Sequence, residues 1–289
     1  IKVPKPLIKI KGNELIIWSL LSFDFSPSDK IYFVTLKKDN VKEKLRNKIE
    51  LFFNVSEIHY LELKENLNGQ LLSAIETIKY FKIDGPILIH NCDTSYNSKS
   101  IKFDSHNEIK NFFGSIPYFQ APGEHWSFLK IDNNSNNVIE VKEKIKISNN
   151  CSVGSYYFSS SSLLIELFEK YLHSISSIEE EMYIAPLYDF AIKNNYIVKG
   201  LKIDFVKLFG TPIELQRTFN VNKYELFSEN SWHAHQRKTY VIDIDGTICE
   251  TVTNGEYKNA KPNKDFINAL QKAHELGAYI ILYTSVSES

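Results

Sequence analysis

Short apolar runs alternate with stretches whose apolar positions return every three or four residues. The runs Leu7–Lys11, Ile31–Lys37, Glu57–Leu63 and Pro86–Cys92 predict strands, and Glu14–Phe23, Val41–Phe53 and Gln70–Phe81 predict the helices between them. That order is the mark of successive βαβ units on a mainly parallel sheet, an α/β fold class. Asn13 and Asn40 are candidate helix caps, and the Lys/Glu-rich face of Val41–Glu50 suits solvent.

The pattern then changes. Ser115–Gln120, Ser127–Ile131, Val138–Ile147 and Val153–Phe158 read as strands, with the turn-rich Asp132–Asn137 between the second and third. Helices are predicted at Leu163–Leu172 and Glu179–Asn194, and a strand at Ile197–Leu208 leads to Gly210-Thr211-Pro212. Residues 219–238 lack periodicity and read as a linker between a first domain, 1–218, and a second piece, 239–289. In that piece a strand (Thr239–Ile244), a helix (Lys264–Leu276) and a strand (Ala278–Tyr283) make one βαβ unit, which buries too little to stand alone.

Composition narrows the function. With 34 basic and 35 acidic residues the net charge is -1, which offers no footprint for nucleic acid, although local lysines can still hold phosphates. Three cysteines, Cys92, Cys151 and Cys249, share no metal-like spacing, which argues for a reducing, cytoplasmic setting. No apolar run approaches the roughly 20 residues that span a bilayer, so no membrane partner is expected. A homo-oligomer stays open.

Candidate chemistry lies at the ends of the predicted strands. Pro4-Lys5-Pro6-Leu7 sets a lysine between stiffening prolines, where its ammonium can meet a phosphate or simply face water. Pro86-Ile-Leu-Ile-His-Asn-Cys-Asp93 brings a carboxylate to a strand end, suited to Mg²⁺ or to capping the next turn. Gly69 and Gln70 open a helix, where the glycine allows close approach of a flat base or is an ordinary helix start. His125 reads as a hydrogen-bonded or surface residue, and Trp126 as core or as a pocket wall.

Taken together these segments resemble the nucleotidyltransferases that activate sugar phosphates and phosphocholine. The resemblance spans residues 1–218 and includes Val141-Lys142-Glu143-Lys144, Ser152-Val-Gly154-Ser-Tyr-Tyr157-Phe158, Glu181-Met-Tyr183 and Phe209-Gly210-Thr211-Pro212. It implies a Rossmann-like mixed sheet and in-line transfer of a nucleotidyl group from an NTP to a phosphorylated acceptor, with pyrophosphate released. By the resemblance, Lys5 steadies the nucleotide phosphates, Asp93 holds Mg²⁺, Gly69 and Gln70 bind the base, and Glu143, Lys144 and Gly154 bind the acceptor, Lys144 taking its phosphate. A second metal carboxylate is implied, and Asp204 is the nearest candidate, at a spacing from Gly210 unlike the commoner pattern. CTP is the preferred nucleotide, with UTP and GTP open, and the implied role is supply of precursors for capsule or surface polysaccharide. The family's first strand and Gly-rich loop, about two dozen residues, would precede Pro4.

The stretch Tyr240-Val-Ile-Asp243-Ile-Asp245-Gly246-Thr247 resembles the first motif of haloacid dehalogenase (HAD) phosphatases, which implies a partial HAD-like α/β domain over 239–289. Alternate residues at a strand end can converge, so Asp243 would attack phosphorus, Asp245 would protonate the leaving oxygen, and both would serve a Mg²⁺ site. Thr247 is a phosphate-binding candidate, and Thr284 in Ile280-Ile-Leu-Tyr-Thr284 is the second, with Ser285 as alternative. The family's later lysine and acidic pair have no counterpart in the 289 residues. His233 and His235 read as solvated. Two competing readings remain: a phosphatase whose first domain only binds a nucleotide-sugar, and a UTP- or GTP-dependent transferase with a non-catalytic C-terminal module.

Overall fold

The computed structural model describes residues 3–53, 55, 57–98, 101–175, 181–221, 239–251, 257–275 and 278–283. The chain divides into two compact units, one of Ile1–Ile8 with Asn13–Thr211 and one of Lys9–Gly12 with Pro212–Ser289. The division falls at Pro212, earlier than the expected start of a linker at 219. Most of that linker, 222–238, lies outside the described residues.

A 3-10 turn at Lys5–Leu7, where the two prolines hold the backbone, takes up the start of the strand expected over Leu7–Lys11, which is present only as Lys9–Ile10. Along the chain there follow the short strand β1 (Lys9–Ile10), which falls in the second unit, then β2 (Asn13–Glu14) and the short helix α1 (Leu15–Leu20) of the first. The expected alternation is then present as β3 (Lys30–Leu36), α2 (Val41–Phe52), β4 (Glu57–Leu63), α3 (Gln70–Phe81) and β5 (Ile87–His90). Strands β3 and β4 pair in parallel over seven residues, from Lys30 opposite Glu57 to Leu36 opposite Leu63. Val41, Leu45 and Ile49 recur at helical spacing on α2 and are buried against Ile17, Leu20 and Phe33.

The rest of the unit is a mixed sheet. Its strands are β6 (Thr94–Tyr96), β7 (Phe112–Gln120), β8 (Ser127–Ile131), β9 (Val138–Glu143), β10 (Asn150–Ser152), β11 (Ser155–Phe158), β12 (Ile197–Lys202) and β13 (Val206–Leu208). The main path runs β5-β11-β7-β10-β8-β9, with β12 added in parallel to β7. Six consecutive residues of β7, from Phe112 to Pro117, are buried, as befits a strand covered on both faces. Strands β6 and β13 form a separate antiparallel pair.

Helices α4 (Ser161–Ser174) and α5 (Ala185–Lys193) complete the layer over this sheet. The Ser160 hydroxyl caps α4 by accepting from Leu163 N–H. Phe113, Phe158, Leu164, Leu167 and Tyr188 meet in the largest apolar core, where each full burial contributes about 1.5–3 kcal/mol. Tyr188 Oη donates to the Tyr157 carbonyl at 2.6 Å, which satisfies its one polar atom.

Two sequence expectations shift. The strand expected over Val138–Ile147 stops at Glu143, because Lys144 takes a left-handed backbone, φ 55°. The strand expected over Ile197–Leu208 breaks into β12 and β13, whose partners lie in different sheets.

The second unit holds α6 (Pro212–Phe219), β14 (Thr239–Asp243), α7 (Lys264–Glu275) and β15 (Tyr279–Tyr283). Strands β14 and β15 are parallel and in register from Thr239 opposite Tyr279 to Asp243 opposite Tyr283. Val241, Leu282 and Tyr283 on this pair are exposed.

Candidate active site

Strands β10 and β11 lie end to end along one edge of β7, interrupted at Val153 and Gly154. On their far side β8 borders β10 and β5 borders β11, so the sheet splits at Gly154, beside the carboxyl end of β5. A split at strand carboxyl ends is where open α/β sheets bind ligands. A cavity of about 1650 Å³ adjoins it, lined by Thr35, Gly69, Gln70, His90 and Asn91 among others.

Asp93 follows β5, and its Oδ2 lies 2.8 Å from Lys5 Nζ. The Asp93 carbonyl accepts from Phe209 N–H at 3.1 Å, so β13 anchors its backbone. The lysine side chain is 47% exposed, and an ion pair that open adds about 0–1 kcal/mol, too little for stability to be its main use. Just before Asp93, His90 bonds Ser155 Oγ at 2.5 Å and the Thr94 carbonyl at 3.1 Å. Burial pushes its pKa down to about 4, so His90 is neutral near pH 7.

Asp204 does not join Asp93. Strand β13 runs antiparallel to β6, with Val206 opposite Tyr96 and Leu208 opposite Thr94, so Asp204 projects past the other end of the pair. Asp204 itself lies in a bend before β13, whereas Asp93 sits beside the other end of that strand, where its carbonyl meets Phe209 N–H. Among the described residues no group of three or more His, Cys, Asp or Glu gathers. Asp93 alone still fits Mg²⁺, which commonly takes one or two carboxylates and fills its other positions with phosphate oxygens and water.

Gly69 and Gln70 open α3 as expected, but the space above Gly69 is taken. A Cβ there would lie 2.4 Å from Met182 N and O, and φ is +115°. The missing side chain therefore admits the Met182 backbone, not a flat base on that face. Leu71 N–H donates to Met182 O at 3.0 Å and Met182 N–H to Asn68 O at 2.9 Å, which bind the two loops together. Gln70 Nε2 donates to Asn91 Oδ1. Gly154, φ +79°, accepts from Asn91 N–H at 3.0 Å, and a Cβ on it would strike the Asn91 carboxamide.

On the other side of the split, β8 and β9 pair with Ser127 opposite Glu143. Ser127 Oγ donates to Glu143 Oε2, and Tyr156 Oη donates to Ser127 Oγ at 3.2 Å. Burial holds the Glu143 carboxyl above its ordinary range. Lys144 N–H donates to Trp126 O at 2.9 Å, and its Nζ donates to Tyr183 Oη at 2.5 Å, 4.4 Å from the ring centre. The Tyr183 bond raises the Lys144 pKa, keeping the ammonium charged. A lysine in the left-handed region carries backbone strain, which persists at sites where side-chain aim matters. Tyr183 in turn donates to Glu181. The Trp126 ring meets Phe119 edge-on at 5.4 Å, and the His125 ring lies tilted against it at 4.2 Å.

Two sets of contacts result, Gln70 with Asn91 and Gly154 on one side and Tyr156 with Ser127 and Glu143, then Lys144 with Tyr183, on the other, while Met182, next to Tyr183 in the chain, bonds to the start of α3. Asn91, Ser127, Tyr156 and Tyr183 were not singled out as site residues from sequence. Asn91, Tyr156 and Tyr183 lay inside segments that carried the resemblance, without roles of their own.

In the second unit, Asp243 ends β14 and Ile244 N–H donates to Tyr283 O at 3.0 Å, so both carboxylates lie at the carboxyl end of the parallel pair. The chain turns at Gly246, φ +72°, and Thr247 N–H returns to Ile244 O at 3.3 Å. Thr284, Ser285, His233 and His235 lie outside the described residues.

No protein-family model and no curated protein matches the sequence. Solved structures do. A nucleoside-diphosphate-sugar pyrophosphorylase from Vibrio cholerae RC9 superposes with a TM-score of 0.68 at 25% identity, covering 76% of this chain and 93% of that one. The inositol-1-phosphate CTP transferase of T. maritima gives 0.58 at 16% identity, covering 79% and 87%. A UDP-glucose pyrophosphorylase complexed with UDP-glucose gives 0.55 at 14% identity, covering 75% and 89%. The mixed α/β architecture built around this split sheet is thus the nucleotidyltransferase fold.

Proposed function

We propose that the first unit transfers a nucleotidyl group, CMP by preference, from an NTP to a phosphorylated sugar or related acceptor and releases pyrophosphate. The observation that carries this reading is the Lys5–Asp93 pair just past the carboxyl end of β5, beside the split in the sheet, with Glu143 and Lys144 on the other side of that split. The named structural relatives favour the same class. An acceptor phosphate oxygen attacks the α-phosphorus in line, and the bond to pyrophosphate breaks. Charge stays on phosphoryl oxygens throughout, so the protein's part is positioning and electrostatic stabilisation. Lys5 neutralises nucleotide phosphate, Gln70 meets the base, and Gly69 sets the start of α3 that carries it. Lys144 holds the acceptor phosphate, Glu143 accepts from an acceptor hydroxyl, and Gly154 keeps the crevice open. A divalent ion held by Asp93 would add charge neutralisation at the reacting phosphate. No general base is needed, because the attacking phosphate is already ionised, and His90, whose basicity burial lowers, is ill suited to be one. A product of this kind suits precursor supply for capsule or surface polysaccharide.

The test is full-length protein incubated with each NTP and a panel of sugar phosphates, with pyrophosphate release as readout. Release with CTP and at least one acceptor is expected, and silence with every NTP would end the proposal. For the acceptor so identified, Glu143 must be ionised to accept a hydroxyl hydrogen. Its carboxyl protonates above the ordinary range, so the acceptor KM rises as pH falls through that raised value. In Glu143→Gln this acid limb is absent.

A second activity is favoured by Asp243 and Asp245 lying together at the carboxyl end of a parallel strand pair. There Asp243 would attack a phosphoryl group, Asp245 would protonate the leaving oxygen, and Thr247 and Thr284 would bind phosphate. Hydrolysis of p-nitrophenyl phosphate by full-length protein, lost in Asp243→Asn, is the expected result. No hydrolysis in the parent protein leaves the second unit as a non-catalytic module.

A further inference from the structure

We propose that Asn91 decides which base the site accepts, by fixing the Gln70 carboxamide so that its Oε1 faces an amino-bearing pyrimidine. The inference rests on the transferase reading and carries it from a nucleotide to one edge of one base.

Asn91 is held at three points. Its N–H donates to Gly154 O at 3.0 Å, its carbonyl accepts from Ser19 Oγ at 2.8 Å, and its Oδ1 accepts from Gln70 Nε2. On the strand side the carboxamide has no room to retreat into, since a Cβ on Gly154 would lie 2.5 Å from Asn91 Nδ2. Gln70 is the first residue of α3, and both side chains line the cavity.

A primary carboxamide is planar, with donor and acceptor on opposite sides. Once Gln70 Nε2 is committed to Asn91, Oε1 faces the other way and can only accept. The cytosine 4-amino group donates, whereas the 4-keto oxygen of uracil would set acceptor against acceptor. A site built to pair with a donor rejects the analogue lacking it, because its own polar atom is then left unpaired. Asn91 touches no substrate atom in this scheme; it is a positioning residue, and the base contact belongs to Gln70.

The experiment is equilibrium titration of full-length protein with CTP and with UTP, Mg²⁺ present, for the parent, Asn91→Leu and Asn91→Asp. The parent is expected to prefer CTP by about tenfold, roughly one well-made hydrogen bond. Asn91→Leu frees Gln70 to turn and narrows the preference to about threefold or less, mainly by weakening CTP. Asn91→Asp presents a carboxylate oxygen to the same Gln70 hydrogen and retains the preference, even if both nucleotides bind more weakly beside the added charge. A merely structural Asn91 would move both affinities together. The inference is overturned by a Leu variant that keeps the parent ratio, an Asp variant that loses it, or a parent that prefers UTP. If the Leu variant fails to fold by circular dichroism, Asn91→Ala takes its place, with the same narrowing of the preference expected and the parent ratio overturning the inference. If the parent binds neither nucleotide, the transferase reading falls and this inference with it, an outcome distinct from an altered ratio.

Discussion

Replacing Asp93 by alanine is expected to lower pyrophosphate release by full-length protein about 10³-fold, and Lys5→Ala about 10²-fold or more, with little change in melting temperature. The separation of activity from stability follows from the geometry. The pair is partly exposed, so breaking it costs about 1 kcal/mol or less. Charge on the reacting phosphates is a different matter, since it must be met at fixed positions while the α-phosphorus changes partners. Asp93 is held by its own carbonyl bond to Phe209 N–H and stays in place without Lys5. The single variants therefore act on different groups, Asp93 on ion binding and Lys5 on phosphate directly. Added Mg²⁺ should partly restore Lys5→Ala and leave Asp93→Ala unchanged. A variant that keeps the parent's activity at either position would remove that residue from the reaction.

The largest stability effect is expected at Gly114, in the middle of β7. A Cβ there would lie 1.9 Å from the Tyr157 carbonyl oxygen and 3.0 Å from Tyr188 Oη, the two ends of a buried hydrogen bond. Both the carbonyl and the strand beneath are backbone, so no flexible side chain can yield. Gly114→Ala must push β11 away from β7, where Phe158 stands opposite Gly114, and must lengthen the Tyr188 bond. A cost of about 4 kcal/mol or more is expected, which lowers the melting temperature by about 10 °C in a domain of this size. Thermal unfolding by circular dichroism measures it; a shift within about 2 °C would show that the strands part more easily than close packing allows.

The βαβ opening of the chain was legible because α2 and α3 carry apolar residues at helical spacing and the strands between them are short apolar runs. The place of Asp93 just past the end of β5 was legible as well, since it closes a short apolar run. Strand pairing was not. Whether Asp204 reaches Asp93 depends on the antiparallel register of β13 with β6, and nothing local in Lys202-Ile-Asp204 encodes it. Gly69 was visible as an unusual residue, but its reason lies in Met182, far along the chain. Asn91 was hidden for the same cause: its importance comes from Gly154 and Gln70, which meet it only after the sheet has formed.

The main-chain bonds between Met182 and residues 68–71 also bear on the order of substrate addition. On the proposed reading the loop that opens α3 serves the nucleotide, and the segment bonded to it continues into Tyr183, which holds Lys144, the proposed ligand of the acceptor phosphate. Ordering one loop therefore orders the other, and the conformational entropy is lost once, with whichever substrate arrives first. The second substrate meets a prepared surface and binds more tightly than it would alone. If the transferase reading holds, such coupling, transmitted with no rearrangement of the sheet, would make the two substrates cooperative partners in binding as well as reactants.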